Sequence, residues 1–168
     1  LEDDLSEETM DWVNNQNKTT FNYLNSIPYK RNIKKRLEQI WNYEKRTSPF
    51  NEGDYTYYYK NNGLQNQYVV YRKKDSEDEE VFLDPNSFSE DGTRALSMYS
   101  PSPNGTYVTW GISDAGSDWS VWYSKNLVTG ETLPEVMRDI KNGSPSWLPD
   151  ESGFYYSRYP HSDSQGHI

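Results

Sequence analysis

The sequence predicts a mainly β fold with N-terminal α-helices, its strands set out as blades of an incomplete β-propeller. The first observation is the stretch Ser102 to Leu133, which reads as a three-strand meander. Ser102-Pro103-Asn104-Gly105 makes a tight turn, since proline presets φ and asparagine and glycine tolerate positive φ. Thr106–Ile112 and Trp119–Tyr123 follow as strands around the turn Ser113–Asp118, and Asn126–Gly130 turns into a third, shorter strand. The second observation is recurrence. A turn containing glycine and followed at once by an aromatic or β-branched run appears at Gly53, Gly105 and Gly153, spaced 52 and then 48 residues apart. A period of roughly 40–50 residues with four short strands per unit is the signature of propeller blades. A β-sandwich with look-alike turns is the competing architecture.

The elements follow in order. Residues 6–25 are expected to be helical: Ser6 can cap, Glu7 and Glu8 suit the positive end of the helix dipole, and Met10, Val13, Phe21 and Leu24 form one stripe. A second helix is expected from Tyr29 to Trp41, with Ile33, Leu37, Ile40 and Trp41 on one face, after Pro28 and before Pro49. One narrow stripe each is too little for a separate domain, so these helices need something to pack on. From Tyr43 the period becomes that of strands. Tyr55–Lys60 and Gln67–Lys73 flank a glycine-containing loop as a hairpin, and Glu80–Asp84 and Thr93–Ser100 are further strands. Leu133–Asn142 reads as a connection with some helical character, and Pro145-Ser146-Trp147 and Phe154–Arg158 begin a third unit.

Composition narrows the function classes. Leu, Ile, Val and Phe make up only 29 of 168 residues, below the roughly 20% under which disorder becomes the default. Fifteen Tyr and six Trp outweigh that shortage, so the core should be aromatic and lie between thin sheets. The net charge of −9 disfavours nucleic acid as a partner, because backbone binding rests on Lys and Arg. The local basic patch Lys30-Arg31 and Lys34-Lys35-Arg36 reads as a solvated helix face. There is no cysteine, hence no thiol chemistry, and no apolar run of membrane-spanning length or signal peptide, so no membrane role and a cytoplasmic location are expected. The chain opens at Leu1 rather than Met, and residues upstream are expected to be missing.

Candidate chemistry is sparse. Gly111-Ile112-Ser113-Asp114-Ala115-Gly116 puts a serine between glycines, but the spacing is not that of a nucleophile elbow and no helix follows, so it reads as a hairpin turn. His161 and His167 lie in a polar tail and lack a third ligand for a metal. The pairs Asp3-Asp4 and Glu79-Glu80 read as solvated faces. No catalytic, cofactor-binding or metal residue is therefore assigned, and no cofactor is expected.

Several short motifs, weak singly, are specific together. They are Leu1-Glu2-Asp3, Ser6-Glu7-Glu8-Thr9, Gln16-Asn17, Tyr23-Leu24, Gly63-Leu64-Gln65-Asn66-Gln67, Phe82-Leu83-Asp84-Pro85-Asn86, Ser89-x-Asp91-Gly92-Thr93, Gly116-Ser117-Asp118-Trp119 and Leu133-Pro134. In this order and spread over nearly the whole chain, they resemble the N-terminal part of the prolyl oligopeptidase (prolyl endopeptidase) family of serine peptidases. Asp4 departs from the proline the family usually carries there, which touches only a helix entry. The resemblance implies a seven-bladed propeller capping an α/β-hydrolase domain. Residues 1–42 would then be a helical segment belonging to that absent domain. Residues 43–168 would be blades one and two and the start of blade three. The family's Ser, Asp and His lie far towards the C-terminus, so the parent would cleave short proline-containing peptides while this chain alone would be inactive. Its partners would be the missing hydrolase domain and the remaining blades. The alternative is a stand-alone aromatic-rich β module binding a glycan or peptide without catalysis. Unpaired blade edges and an uncovered apolar face on the helices would favour the fragment.

Overall fold

The computed structural model describes Asp3 and residues 5–160. The chain divides into two compact units between Tyr43 and Glu44. The first holds α1 (Glu7–Ser26) and α2 (Lys30–Trp41). Ser6 caps α1 as expected, its Oγ accepting from the Thr9 N–H at 3.3 Å. Pro28 lies in the corner between the helices, where Lys30 Nζ donates to Asn25 Oδ1 at 2.7 Å. The apolar stripes are present but largely uncovered: Phe21 is 54% exposed, Ile33 51%, Leu37 50% and Ile40 45%. Among the described residues no helix is long and apolar enough to cross a membrane.

The second unit is built of antiparallel sheets. β1 (Lys45–Arg46) and β2 (Phe50–Glu52) both pair with β3 (Tyr55–Asn61), which pairs with β4 (Val69–Lys74), and that with β5 (Glu80–Leu83). β1 and β2 are one edge strand interrupted before Pro49, which has no N–H to donate; Thr47 bridges the gap through its N–H to the Tyr59 carbonyl, 3.0 Å. A 3₁₀ turn, Pro85–Ser87, leads to the second sheet, with order β6 (Arg94–Pro101), β7 (Tyr107–Asp114), β8 (Trp119–Asn126) and β9 (Met137–Lys141). β10 (Ser146–Trp147) and β11 (Phe154–Tyr155) open a third. Four-strand meanders in succession are the blades that the repeat predicts.

Two elements differ. Leu133–Asn142 is not a helical connection but contains β9, which completes the second blade by pairing with β8. Helical propensity yields here to tertiary burial: Ile140 is fully buried against that sheet. The short third strand expected after Gly130 is reduced to a single bridge, Lys125 to Thr132.

The core between the first two sheets is aromatic. Tyr99 of β6 meets Tyr59 at 5.4 Å, Phe50 at 5.9 Å, Phe82 at 6.2 Å and Tyr57 at 6.3 Å between ring centroids. Each such pair is worth about 0.5–1.5 kcal/mol beyond its buried area, which is how a chain poor in aliphatic residues holds two sheets together. The next junction repeats the device: Trp147 stacks on Tyr107 at 6.2 Å and donates from Nε1 to Ser100 Oγ at 3.2 Å.

Gly53, Gly105 and Gly153 all fall in the loop joining the first and second strands of successive blades, yet they are not equivalent inside it. Gly53 occupies the first central position of a two-residue turn, with φ 57°. Gly105 closes the Ser102–Gly105 turn with φ 75°. In the third loop the matching place, closing Leu148-Pro149-Asp150-Glu151, belongs to Glu151 at φ 57°, and Gly153 falls two residues later. The loops touch. A Cβ on Gly53 would stand 3.1 Å from the Pro103 carbonyl oxygen and 3.3 Å from the Asn104 carbonyl carbon. Gly53→Ala is therefore expected to destabilise by about 1–2 kcal/mol, from positive φ and contact with rigid backbone together. An unchanged urea midpoint would refute this reading of the stacked loops.

Candidate functional site

Two constellations of polar side chains stand out in the second unit. The first lies on the face of β3 opposite the aromatic core. Strand alternation sends Tyr57 and Tyr59 inwards and Tyr58 and Lys60 to the other side. There the Tyr58 hydroxyl and the Lys60 ammonium both donate to Glu79, and Arg46 Nη1 reaches Glu79 at 3.1 Å while its Nε donates to Glu44 at 2.8 Å. Lys60 lies 4.7 Å above the Tyr71 ring, which stacks on Tyr58. Lys60 and then Tyr58 hold the Glu79 carboxyl below its ordinary range, against burial. Burial, followed by Glu79 itself, pushes Tyr58 up to about 12. Glu79 is thus a half-buried hub, a correction to its reading as a solvated face; Glu80 does sit exposed, bound to Arg72. No local pattern in the sequence marks this hub, because its members come from three separate strands and the turn before β5.

The sign of the pH dependence follows. A carboxyl with a depressed folded pKa contributes stability above its unfolded value, near 4.5 for Glu79, and loses it as the pH falls through the folded value. Tyr58→Phe removes one hydrogen bond to a charged group. It is expected to cost about 1–2 kcal/mol at neutral pH, and the loss should shrink below the carboxylate range in a denaturant titration.

The second constellation is the stack of loops. Glu151 Oε1 accepts from the Asn104 N–H at 2.6 Å. Burial pushes the Glu151 carboxyl up, but the hydroxyls of Ser102 and Thr106 and the N–H groups of Asn104 and Thr106 outweigh it, so it stays below the ordinary range. One carboxylate therefore closes the turn of the preceding blade. A sequence signal exists: Pro149-Asp150-Glu151 parallels Pro103-Asn104-Gly105.

Neither constellation pairs a nucleophile with a base. Ser113 lies within β7, opposite Ser120, and the turn itself is Ala115-Gly116, both at positive φ. His161 and His167 lie outside the described residues, as does Asp4 of the pair Asp3-Asp4. Among the described residues no three His, Asp or Glu side chains gather as a metal site.

The motifs that carry the family resemblance have structural work instead. Within Gly63–Gln67 the loop folds on Asn61, whose Nδ2 donates to the Gln65 carbonyl at 2.9 Å, and Gln67 Nε2 crosses to the Arg94 carbonyl at 2.7 Å. Asp84 Oδ1 caps the 3₁₀ turn through the Asn86 N–H at 3.0 Å, and Asn86 Oδ1 accepts from the Gln67 N–H at 2.9 Å. Asp91 Oδ1 accepts from both the N–H and the hydroxyl of Thr93. These bonds tie the loops to the strands, and the one from Gln67 to Arg94 joins blade to blade.

Comparison with known proteins agrees. The family model described as the prolyl oligopeptidase N-terminal beta-propeller domain matches residues 1–167. The prolyl endopeptidase of Elizabethkingia miricola is 49% identical over 159 residues, covering 95% of this chain and 22% of that protein. Prolyl oligopeptidase A of Amanita bisporigera is 38% identical over 180 residues, covering 94% of this chain and 24% of that protein. Among solved structures, one from a study of two prolyl endopeptidases superposes with a TM-score of 0.89 at 26% identity, covering 96% of this chain and 24% of that one. Prolyl oligopeptidase B of Galerina marginata, bound to a 35mer hydrolysis and macrocyclization substrate, gives 0.80 at 25% identity over 97% of this chain and 26% of that one. The chain thus spans about a quarter of the length of the relatives it matches.

Proposed function

Because this chain belongs to the family of the prolyl oligopeptidase N-terminal β-propeller domain, we propose that it is the N-terminal part of a serine endopeptidase cleaving short peptides on the C-terminal side of proline. The match of the family model over residues 1–167 carries this reading. Residues 1–42 would belong with the catalytic domain of the parent, and residues 43–168 would form blades one, two and the start of three. The half-exposed stripes of α1 and α2 support the first assignment. About half of Met10, Phe21, Ile33, Leu37 and Ile40 still faces water, which a domain of this chemistry would cover. A stand-alone binding module would bury that surface within itself.

In the parent, a serine would attack the peptide carbonyl, a histidine would take its proton and an aspartate would orient that histidine, all supplied from outside this chain. What this chain contributes is a stiff portion of a filter. Its blades are joined through interdigitated rings and through hydrogen bonds between their loops, so a gap between them opens only if those contacts break. Such a wall admits a short, unfolded peptide and excludes a folded protein.

The chain alone is expected neither to hydrolyse a proline-containing chromogenic peptide nor to be labelled by a serine-directed fluorophosphonate. A serine hydroxyl is a poor nucleophile without a positioned base and oxyanion donors. Stoichiometric labelling of any one serine would overturn the proposal. Recovery of activity on mixing with the remaining part of the parent would support it.

A further inference from the structure

Asparagine followed by glycine is the step at which a polypeptide most readily loses ammonia without an enzyme, since glycine places no side chain between the attacking amide and the carboxamide. The sequence holds three such steps, Asn62-Gly63, Asn104-Gly105 and Asn142-Gly143. The fold distinguishes them. The Gly63 N–H donates to Asn61 Oδ1 at 2.9 Å, and the Gly105 N–H donates to the Ser102 carbonyl at 2.9 Å. Each of these nitrogens must break a hydrogen bond before it can turn to attack. The Gly143 N–H donates none among the described residues. Asn142 is exposed, just past the end of β9, and holds φ at 53°, in the left-handed region that asparagine tolerates better than most residues.

We propose that Asn142-Gly143 is a site of spontaneous deamidation. The Gly143 nitrogen forms a bond to Asn142 Cγ, and the carboxamide nitrogen departs as ammonia, carrying away the proton that the amide gives up. Water then opens the resulting succinimide at one carbonyl or the other, leaving aspartate or isoaspartate. Water is the only reactant required.

The site has neighbours that register the change. Asn142 and Gly143 border a pocket of about 200 Å³ shared with Ser97, Ser113, Asp118 and Ser120. Asp118 already holds Lys141 Nζ at 3.3 Å. A carboxylate at position 142 adds a second negative group beside that pair. Isoaspartate also inserts a methylene into the backbone next to Gly143, which lies against the buried Trp122 ring.

The test is peptide mapping by mass spectrometry of the full chain, folded by circular dichroism, aged at mildly alkaline pH. Asn142 is expected to convert at least about tenfold faster than Asn62 or Asn104, a difference of about 1.4 kcal/mol in barrier. In urea the three rates should converge. Gly143→Ala should slow conversion at Asn142 by a similar factor and leave the fold intact, because a Cβ there meets Trp122 at 3.6 Å and Ile140 at 3.7 Å, ordinary contact distances. Equal rates at the three steps in the folded chain, or an unchanged rate in the alanine variant, would overturn the proposal.

Discussion

Trp122→Ala is expected to lower the stability of the β6–β9 sheet by about 3–5 kcal/mol, the cost of emptying a well-packed tryptophan site. Trp122 is fully buried and is the largest side chain that is. Its Nε1 donates to Ser120 Oγ at 3.0 Å, so the indole is satisfied as well as enclosed. It also joins two blades, because its ring meets Tyr156, just past β11, at 6.0 Å. The room it fills exists because Gly111 stands opposite on β7: a Cβ there would lie 2.7 Å from Trp122 Cδ1 and 2.5 Å from Ser97 Oγ. A domain's whole stability is only about 5–15 kcal/mol, so the alanine variant should unfold far earlier in a thermal melt followed by circular dichroism. A small shift would mean that the sheet collapses into the vacancy, and the ring would then not be the keystone of this blade. Trp122→Phe, which keeps most of the volume, should lose distinctly less.

That arrangement shows what a sequence can and cannot disclose. The alternation of β7 and β8 is plain in Thr106–Ile112 and Trp119–Tyr123, and the helices at Glu7–Ser26 and Lys30–Trp41 follow from a cap, a proline and a stripe. Gly111 is legible only as one glycine of a loop-like run, since its reason lies across the sheet, in the indole of another strand. β9 is hidden for a like cause. Met137–Lys141 is short, Asp139 sits at φ 61°, and only the partner strand makes the segment extended. The charged hub at Glu79 needs Glu44, Arg46, Tyr58 and Lys60 brought together from distant positions, and no spacing announces that. Local rules reach the elements and the repeat. Contacts between elements stay hidden, apart from what family resemblance implies.

Glu151 is where the repeat departs from local preference, and its removal should have the second largest effect. A residue at φ 57° is ordinarily better as glycine, and such a replacement normally stabilises by relieving backbone strain. Here the opposite is expected. Glu151→Gly and Glu151→Ala should both cost about 2–3 kcal/mol, because each removes a carboxylate that accepts hydrogen bonds from the neighbouring turn and leaves the Asn104 N–H without its 2.6 Å partner. The loss should be local. Hydrogen exchange should speed at Asn104, Thr106 and the β10–β11 hairpin while the β3–β4 ladder keeps its protection. The pH dependence has a definite sign: a depressed folded pKa means the contribution is full above the ordinary glutamate value of 4.5 and disappears as the pH falls through the lower folded value. Glu151→Gln, which retains an acceptor but no charge, should fall between wild type and alanine and lose that acid dependence. If Glu151→Gly instead proved more stable than the wild type, strain would outweigh the clasp, and the two loops would be neighbours without being coupled.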